Sequence, residues 1–446
     1  MRFLRLPLLL AATAPAAPAV TWTVNSSQDP YPGVALHCAA TSTDPCTLRD
    51  AIAAATGGDL IVFDASVATI VASGQFMLSD DSAGLVTIDG AGAVTLDGNH
   101  ATRLLYANAN TITRISGLTL RNGSAAMDPF NAGKGGAIYN AGILTLSDCT
   151  VSGSTAAYNG GAIWNRGPLT LIDSTVSDNS ASNAGGGIAN FSALTLVGSV
   201  LSGNTAPTGG GLYNNGRATL SKTTLSGNSA AQWQGGGILN RATLTLVAST
   251  LSDNSAGTNG GGILNNGALT LANSTLSGNH ASNGGGLYNI NVGPATLVNS
   301  TFAGNSANQG SGIDNHNTLD STNVIFADGC GGSINDHGGN LDVGTSCGLD
   351  TAHSNANLDL GPLQDNGGPT QTMMPGPGSA AISAGLGSAC AAPPVDGLDQ
   401  RGASRSQGAS CDSGAVEAVT DRIFADGFDG LPRAGHAQSR SALPTR

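Results

Sequence analysis

Asp148, Asp173 and Lys222 occupy one equivalent position in a recurring pattern, the second residue after a Leu-Thr-Leu or Ala-Thr-Leu triplet. The full column reads Asp148, Asp173, Gly198, Lys222, Ala248, Asn273, Asn299. If the repeats stack as successive coils, the two carboxylates lie one coil apart, about 5 Å from each other. That separation suits a retaining glycosidase pair or two ligands of one calcium ion. Lys222, two coils further on, would be the base. Two features weigh against catalysis. The column holds no third carboxylate and no Arg, and Asp is common in turns that follow strands. The three residues therefore stand as candidates, with no catalytic residue assigned.

Other constellations are absent. The sequence has no Ser-His-Asp grouping, Walker loop or His-Glu-x-x-His. The Gly-Gly-Gly runs lack a following Lys-Ser/Thr, so corner geometry explains them better than phosphate binding. His280 and His316 are isolated and read as exposed loop residues. The Asn-Thr-Asp and Gly-His-Gly signatures of a chain resembling polygalacturonases are missing. Seven Cys suggest local pairing in an oxidising compartment as Cys38–Cys46, Cys330–Cys347 and Cys390–Cys411. Cys149 is left over. It falls in a column otherwise filled by Ser174, Ser199, Thr223, Ser249, Ser274 and Ser300, which reads as a buried free thiol. No Cys-x-x-Cys occurs, so neither a metal site nor a cofactor is expected.

Composition narrows the partners. Charged residues make up 10 % of the 446, and the net charge is −12. With no basic stripe, nucleic acid is excluded as a partner. An acidic surface also repels anionic polysaccharides unless cations intervene. Arg166, Arg217 and Arg241 read as scattered on the exterior. There is one Glu (Glu417) and there are two Lys (Lys134, Lys222), so long surface helices are not expected.

The elements that would position these residues come from a repeat. A hexamer of the type Gly-Gly-x-Ile/Leu-x-Asn ends at Asn140, Asn165, Asn190, Asn214, Asn240, Asn265 and Asn289, with a decayed copy, Gly-Ser-Gly-Ile-Asp-Asn, ending at Asn315, at spacings of 24 to 26 residues. Each unit holds three short apolar segments: the Leu-Thr-Leu triplet, a segment centred on Val151, Val176, Leu201, Leu225, Leu251, Leu276 or Phe302, and the hexamer. These segments are too short for helices, and Thr, Val, Ile and Leu suit strands. The pattern predicts an all-β, single-stranded, right-handed parallel β-helix, a solenoid with three short strands per coil of about 25 residues. Parity places the eight Asn inside as a hydrogen-bonded ladder. A second column, Asn179, Asn204, Asn228, Asn254, Asn279 and Asn305, is expected at a turn. Thr47 should cap a short N-terminal helix with Leu48, Ile52 and Ala55 on one face, closing the first coil.

The hexamers resemble the repeats of polymorphic outer membrane proteins, which are secreted β-helices. Thr23-Val24-Asn25-Ser26 with Pro45-Cys46-Thr47-Leu48-Arg49-Asp50-Ala51-Ile52 resembles the CSLREA-type N-terminal domain of secreted bacterial proteins, with Thr47 in place of Ser and Asp50 in place of Glu. Residues 358–385, 399–405 and 411–418 are similar to the choice-of-anchor Q domain, which implies surface display. Asp421 to Gly430 resembles a short tag on exported proteobacterial proteins. Residues 1–19, with Arg2 and Arg5 before Leu6 to Ala12 and an Ala17-Pro18-Ala19 site, read as a signal peptide. The expected organisation is 1–19 signal peptide, 20–59 N-terminal strand and capping helix, 60–326 β-helix, 327–418 further coils and the anchor-like region, and 419–446 a disordered tail. The expected protein is secreted or on the cell surface, associated with the outer membrane. It is a monomer with no membrane span after signal removal. It binds glycans or envelope components in adhesion without catalysis. The alternative is a pectate-lyase-like polysaccharide lyase or glycoside hydrolase.

Overall fold

The computed structural model describes residues 19–30, 38, 45–79, 84–127, 132–290, 293–405 and 410–418. Residues 1–18 of the expected signal peptide, the 421–430 segment and the expected disordered tail lie outside the described residues. Alternation of apolar and small polar residues in segments of three to five favours strands, and the 24–26-residue period lets each strand find its own equivalent one coil later. The result is a right-handed parallel β-solenoid. The Leu-Thr-Leu strands pair in parallel with full register, Leu144 on Leu169 on Leu194. The second strands do the same, Val151 on Val176 on Leu201. The hexamer strands form an 11-stranded sheet in which Asn lies beside Asn from Asn140 to Asn315. Besides these three segments, several coils add a two-residue strand such as Thr155–Ala156, which pairs with Ser124–Ala125 and Ser180–Ala181.

The rungs run past the expected 60–326 body at both ends. Thr21–Val24 pairs with Leu60–Phe63, and Leu341–Asp342 pairs with Ile325–Phe326. The helix Leu48–Ala54 lies at the N-terminal end, and the Thr47 side chain accepts from the Asp50 N–H. Asp50 does not reach back to the Thr47 N–H as a capping-box Glu would. Its carboxylate accepts from the Thr47 hydroxyl at 2.8 Å.

Leu, Ile, Val and Phe from all three strands fill one continuous core, each contributing about 1.5–3 kcal/mol by burial. Three polar columns run through it. In the first, each Asn Nδ2 donates to the Asn Oδ1 of the next coil, from Asn140 to Asn315, at 2.7–2.8 Å. Several of these Nδ2 groups also reach a backbone carbonyl of the next coil, as Asn214 does to Thr243 at 3.0 Å. The ladder starts where Ala107 sits beside Asn140, and Asn140 Oδ1 has no partner. The second column lies at a turn, as expected, directly after a positive-φ residue in each coil, and is as deeply buried as the first. Asn179, Asn204, Asn228, Asn254 and Asn279 each donate to the next Oδ1 at 2.8–3.0 Å. It ends on Asp328, whose carboxylate accepts from Asn305 Nδ2, Asn305 N and Gly304 N. The third is a hydroxyl column: Cys149 N–H donates to Ser174 Oγ, and Ser174 N–H to Ser199 Oγ.

Beyond Asp342 the expected further coils give way to a strap that folds back over the outer face of the second strands. Gln400 bonds Thr250 and Thr275, the Leu398 carbonyl accepts from Asn273, the Ala415 N–H donates to Thr301, and the Leu386 N–H donates to Asn323. Arg405 is buried within the strap, bonding Asn273 Oδ1, the Gly414 carbonyl and Glu417. Burial pulls its pKa down to about 10, opposed by Glu417, Asp399 and Asp412, so it remains charged at neutral pH. No helix among the described residues is long and apolar enough to cross a membrane.

Two outcomes test this packing. Asn240→Ala removes an acceptor from Asn214 and a donor from Asn265 and should cost about 2–5 kcal/mol in urea unfolding. Asn215→Ala, at the exposed neighbouring position, should change stability by less than about 0.5 kcal/mol. Burial raises the Asp328 pKa above 3.8 against its hydrogen bonds to Asn305 and Gly304. The native state therefore holds this proton more tightly than the unfolded state. Wild-type stability should fall relative to Asp328→Asn as pH rises from the unfolded carboxyl pKa through the native one. A pH-independent difference between the two proteins would contradict this.

Candidate functional site

The Asp148 column has a backbone explanation. Its residues all have positive φ: Asp148 52°, Asp173 46°, Gly198 60°, Lys222 53°, Ala248 51°, Asn273 46° and Asn299 45°. The chain needs this left-handed residue to turn from the first strand to the second in every coil. Asp, Asn and Gly tolerate that conformation best. Asp148, Asp173 and Lys222 are exposed. The Asp173 carboxylate leans over Gly198 of the next coil, where any Cβ would collide with Oδ1. Under the strap the same column is buried, and Asn273 and Asn299 bond to strap atoms. Its recurrence thus follows from conformation.

The cysteines lie as three disulfides, Cys38–Cys46, Cys330–Cys347 and Cys390–Cys411. Cys149 is free and buried, and burial pushes its thiol up. His316 Nε2 lies 3.1 Å from Asp314, and His280 bonds Ser306. Among the described residues no group of three His, Cys, Asp or Glu side chains could hold a metal ion.

A row of side chains that the sequence reading passed over lies outside the hexamer sheet. The residue before each ladder Asn points away from the core. Along the sheet these are Tyr106, Tyr139, Trp164, Ala189, Tyr213, Leu239, Leu264 and Tyr288, ending at Asp314. In-register pairing stacks the rings. Tyr106 and Tyr139 are 4.5 Å apart and nearly parallel, and Tyr139 and Trp164 are 4.4 Å apart. Ala189 leaves a gap, and Phe191 fills it, 5.8 Å from both Trp164 and Tyr213. The signal was present: the protein has six Tyr and three Trp, and four Tyr and one Trp fall in this single column.

A groove of about 480 Å³ runs beside this row. Trp164, Phe191 and Tyr213 form one side; Tyr158, Asn159, Asn183 and Thr208, from the turn before the hexamer, form the other. Tyr158 is 42 % exposed. Trp164 is 6 % exposed, and its Nε1–H has no hydrogen-bond partner. Asn183 Nδ2 donates to Asn159 Oδ1 at 2.8 Å, which fixes the amides along the rim. Cations flank the rings. Lys134 Nζ lies 5.1 Å from the Trp164 ring, and the buried Arg103 lies over Tyr106 and Tyr139. Arg241 donates to the Tyr213 hydroxyl at 3.2 Å, and Arg166 bonds the Tyr139 hydroxyl. Arg166 and Arg241, expected to be scattered, thus each brace a phenol of the row. Burial and Tyr106 together push the Tyr139 phenol above its ordinary value, so it stays neutral. The volume lies in the range of ligand sites, and the lining offers ring surface, amides and a hydroxyl.

Comparison with known proteins adds little. No protein-family model matches the chain, so the polymorphic outer membrane protein, CSLREA and choice-of-anchor resemblances rest on their quoted motifs alone. No curated protein matches it. Among solved structures it is similar to one described as "Crystal structure of pectate lyase Pel9A", at 15 % identity and a TM-score of 0.46, covering 90 % of this chain and 97 % of that one.

The backbone reading of the acidic column has a direct consequence. Lys222→Gly should stabilise the protein by about 0.5–1 kcal/mol, because Gly adopts φ near +53° without steric cost. Lys222→Val should destabilise it by more than about 1 kcal/mol. Thermal unfolding of the two variants checks both.

Proposed function

We propose that the chain is an exported, non-catalytic β-helix that binds polysaccharide along the groove beside its aromatic row, in adhesion or envelope interaction. The observation that carries this reading is the row itself. In a chain with 4 % aromatic residues, five rings stack in sequence, and three of them, Trp164, Phe191 and Tyr213, line a 480 Å³ groove edged with amides. Aromatic bodies with polar tips suit ligands that carry both C–H faces and hydroxyls. A solenoid repeats its groove along the axis, which matches a polymer better than a single sugar. Three disulfides favour a location outside the cytoplasm. A binding role rather than a reacting one is supported by the lining, which holds no carboxylate among the described residues.

The test is a panel of polysaccharides presented to the purified chain, with and without calcium, read both as retention and as shortening of the polymer. Retention without shortening is expected. The pair Tyr158→Ala and Tyr213→Ala should weaken it by about 10-fold or more. Depolymerisation of any bound polymer would replace this reading with the lyase or hydrolase one. No retention on any polymer would remove it.

A further inference from the structure

The protein carries a net charge of −12, yet its groove is walled by cations. Lys134 and Arg241 line it, and Arg166 sits on the same exterior column as Arg241, one coil before Phe191. None of the three has a carboxylate partner among the described residues. Elsewhere Arg49, Arg121, Arg401 and Arg405 are each held by one, at Asp29, Asp97, Asp399 and Glu417, while the exposed Arg114, Arg217 and Lys222 stand apart from the groove. The outward row contributes no acid from Tyr106 to Tyr288; its first carboxylate is Asp314, at the far end. The acids of the repeat units lie at other corners, Asp148 and Asp173 between the first and second strands and Asp178 and Asp253 after the second.

Charge complementarity selects the ligand class. We infer that the groove takes an anionic polysaccharide, with Lys134, Arg166 and Arg241 meeting its acidic groups while the aromatic row meets its sugar rings. This rests on the binding role proposed for the groove and adds the charge of its ligand. A neutral glycan would leave these cations without a counter-charge. A local positive strip on an otherwise acidic body draws an anionic polymer to one face and repels it from the others, which fixes where it binds. Arg166 and Arg241 are three coils apart, about 14 Å, so they contact separate units of one chain. Each Arg already braces a phenol of the preceding coil, at Tyr139 and Tyr213, which holds the guanidinium near the row. The repulsion that the acidic composition implies for anionic polysaccharides is thereby reversed at this one surface.

The experiment compares each anionic polymer with its own neutral counterpart by affinity electrophoresis of the full chain: alginate against carboxyl-reduced alginate, and dextran sulfate against dextran. The two pairs separate carboxylate from sulfate recognition. In at least one pair the anionic polymer should retard the protein about 10-fold more strongly at roughly 0.02 M salt, and the preference should shrink at roughly 0.3 M. Lys134→Gln with Arg241→Gln should abolish the preference and leave the melting temperature unchanged. Arg217→Gln, an exposed cation outside the groove, should leave the preference intact. Equal retardation by anionic and neutral polymers would overturn the inference while leaving the binding role standing. So would a preference that survives the double substitution. Retardation by none of the four polymers would remove the inference, and the broader panel then decides whether the binding role goes with it.

Discussion

Each coil of this solenoid lies directly on its own equivalent, so every inward group must be compatible with a copy of itself about 4.8 Å away. Apolar side chains meet this condition by packing. A charge does not, because stacking it on itself in the core repels. A carboxamide does, because it carries a donor on one side and an acceptor on the other, and a column of them satisfies itself. The two Asn columns, the hydroxyl column and the low charge content follow from that one condition. The ends of the columns show its limits. At Asn140 the first Oδ1 faces Ala107 and stays without a partner. At the far end of the second column Asp328 takes the place of an Asn and closes it with a carboxylate that only accepts.

The same stacking acts outside the core. It brings like residues into rows there too, whether or not the row has a role beyond the backbone. Asp148, Asp173 and Lys222 line up because each coil needs a left-handed residue at that corner. Tyr106, Tyr139, Trp164 and Tyr213 line up for no such reason. Their position has ordinary strand conformation, and Ala189, Leu239 and Leu264 fill it equally well elsewhere. A run of rings at a position that does not demand them, beside a groove, is the more informative row.

Much of the architecture is legible in the residues. The Asn hexamers, with their inward parity, give the strands, the register and the first ladder. The second Asn column lies at a turn, as its Gly, Ser and Asp neighbours imply; what those neighbours do not reveal is its burial, which is decided by the coil as a whole. The strap could not be read from a repeat at all. Its contacts join residues more than a hundred positions apart, such as Gln400 with Thr250 and Arg405 with Asn273, and no local pattern encodes them. The aromatic row is not legible from the repeat, because the position before the recurring Asn varies from coil to coil, with Ala189, Leu239 and Leu264 among the rings. Lys134, Arg166 and Arg241 come from different coils and form a group only in space.

The self-complementary Asn columns are the claim on which the rest stands, and side-chain amide hydrogen exchange tests them most directly. With the protein labelled at Asn Nδ2, the carboxamide protons of Asn165, Asn190, Asn214, Asn240 and Asn265, and of Asn204, Asn228 and Asn254, should exchange orders of magnitude more slowly than those of exposed Asn215. Exchange of these interior amides at the rate of Asn215 would show that they face water, and the stacked architecture would fall with them.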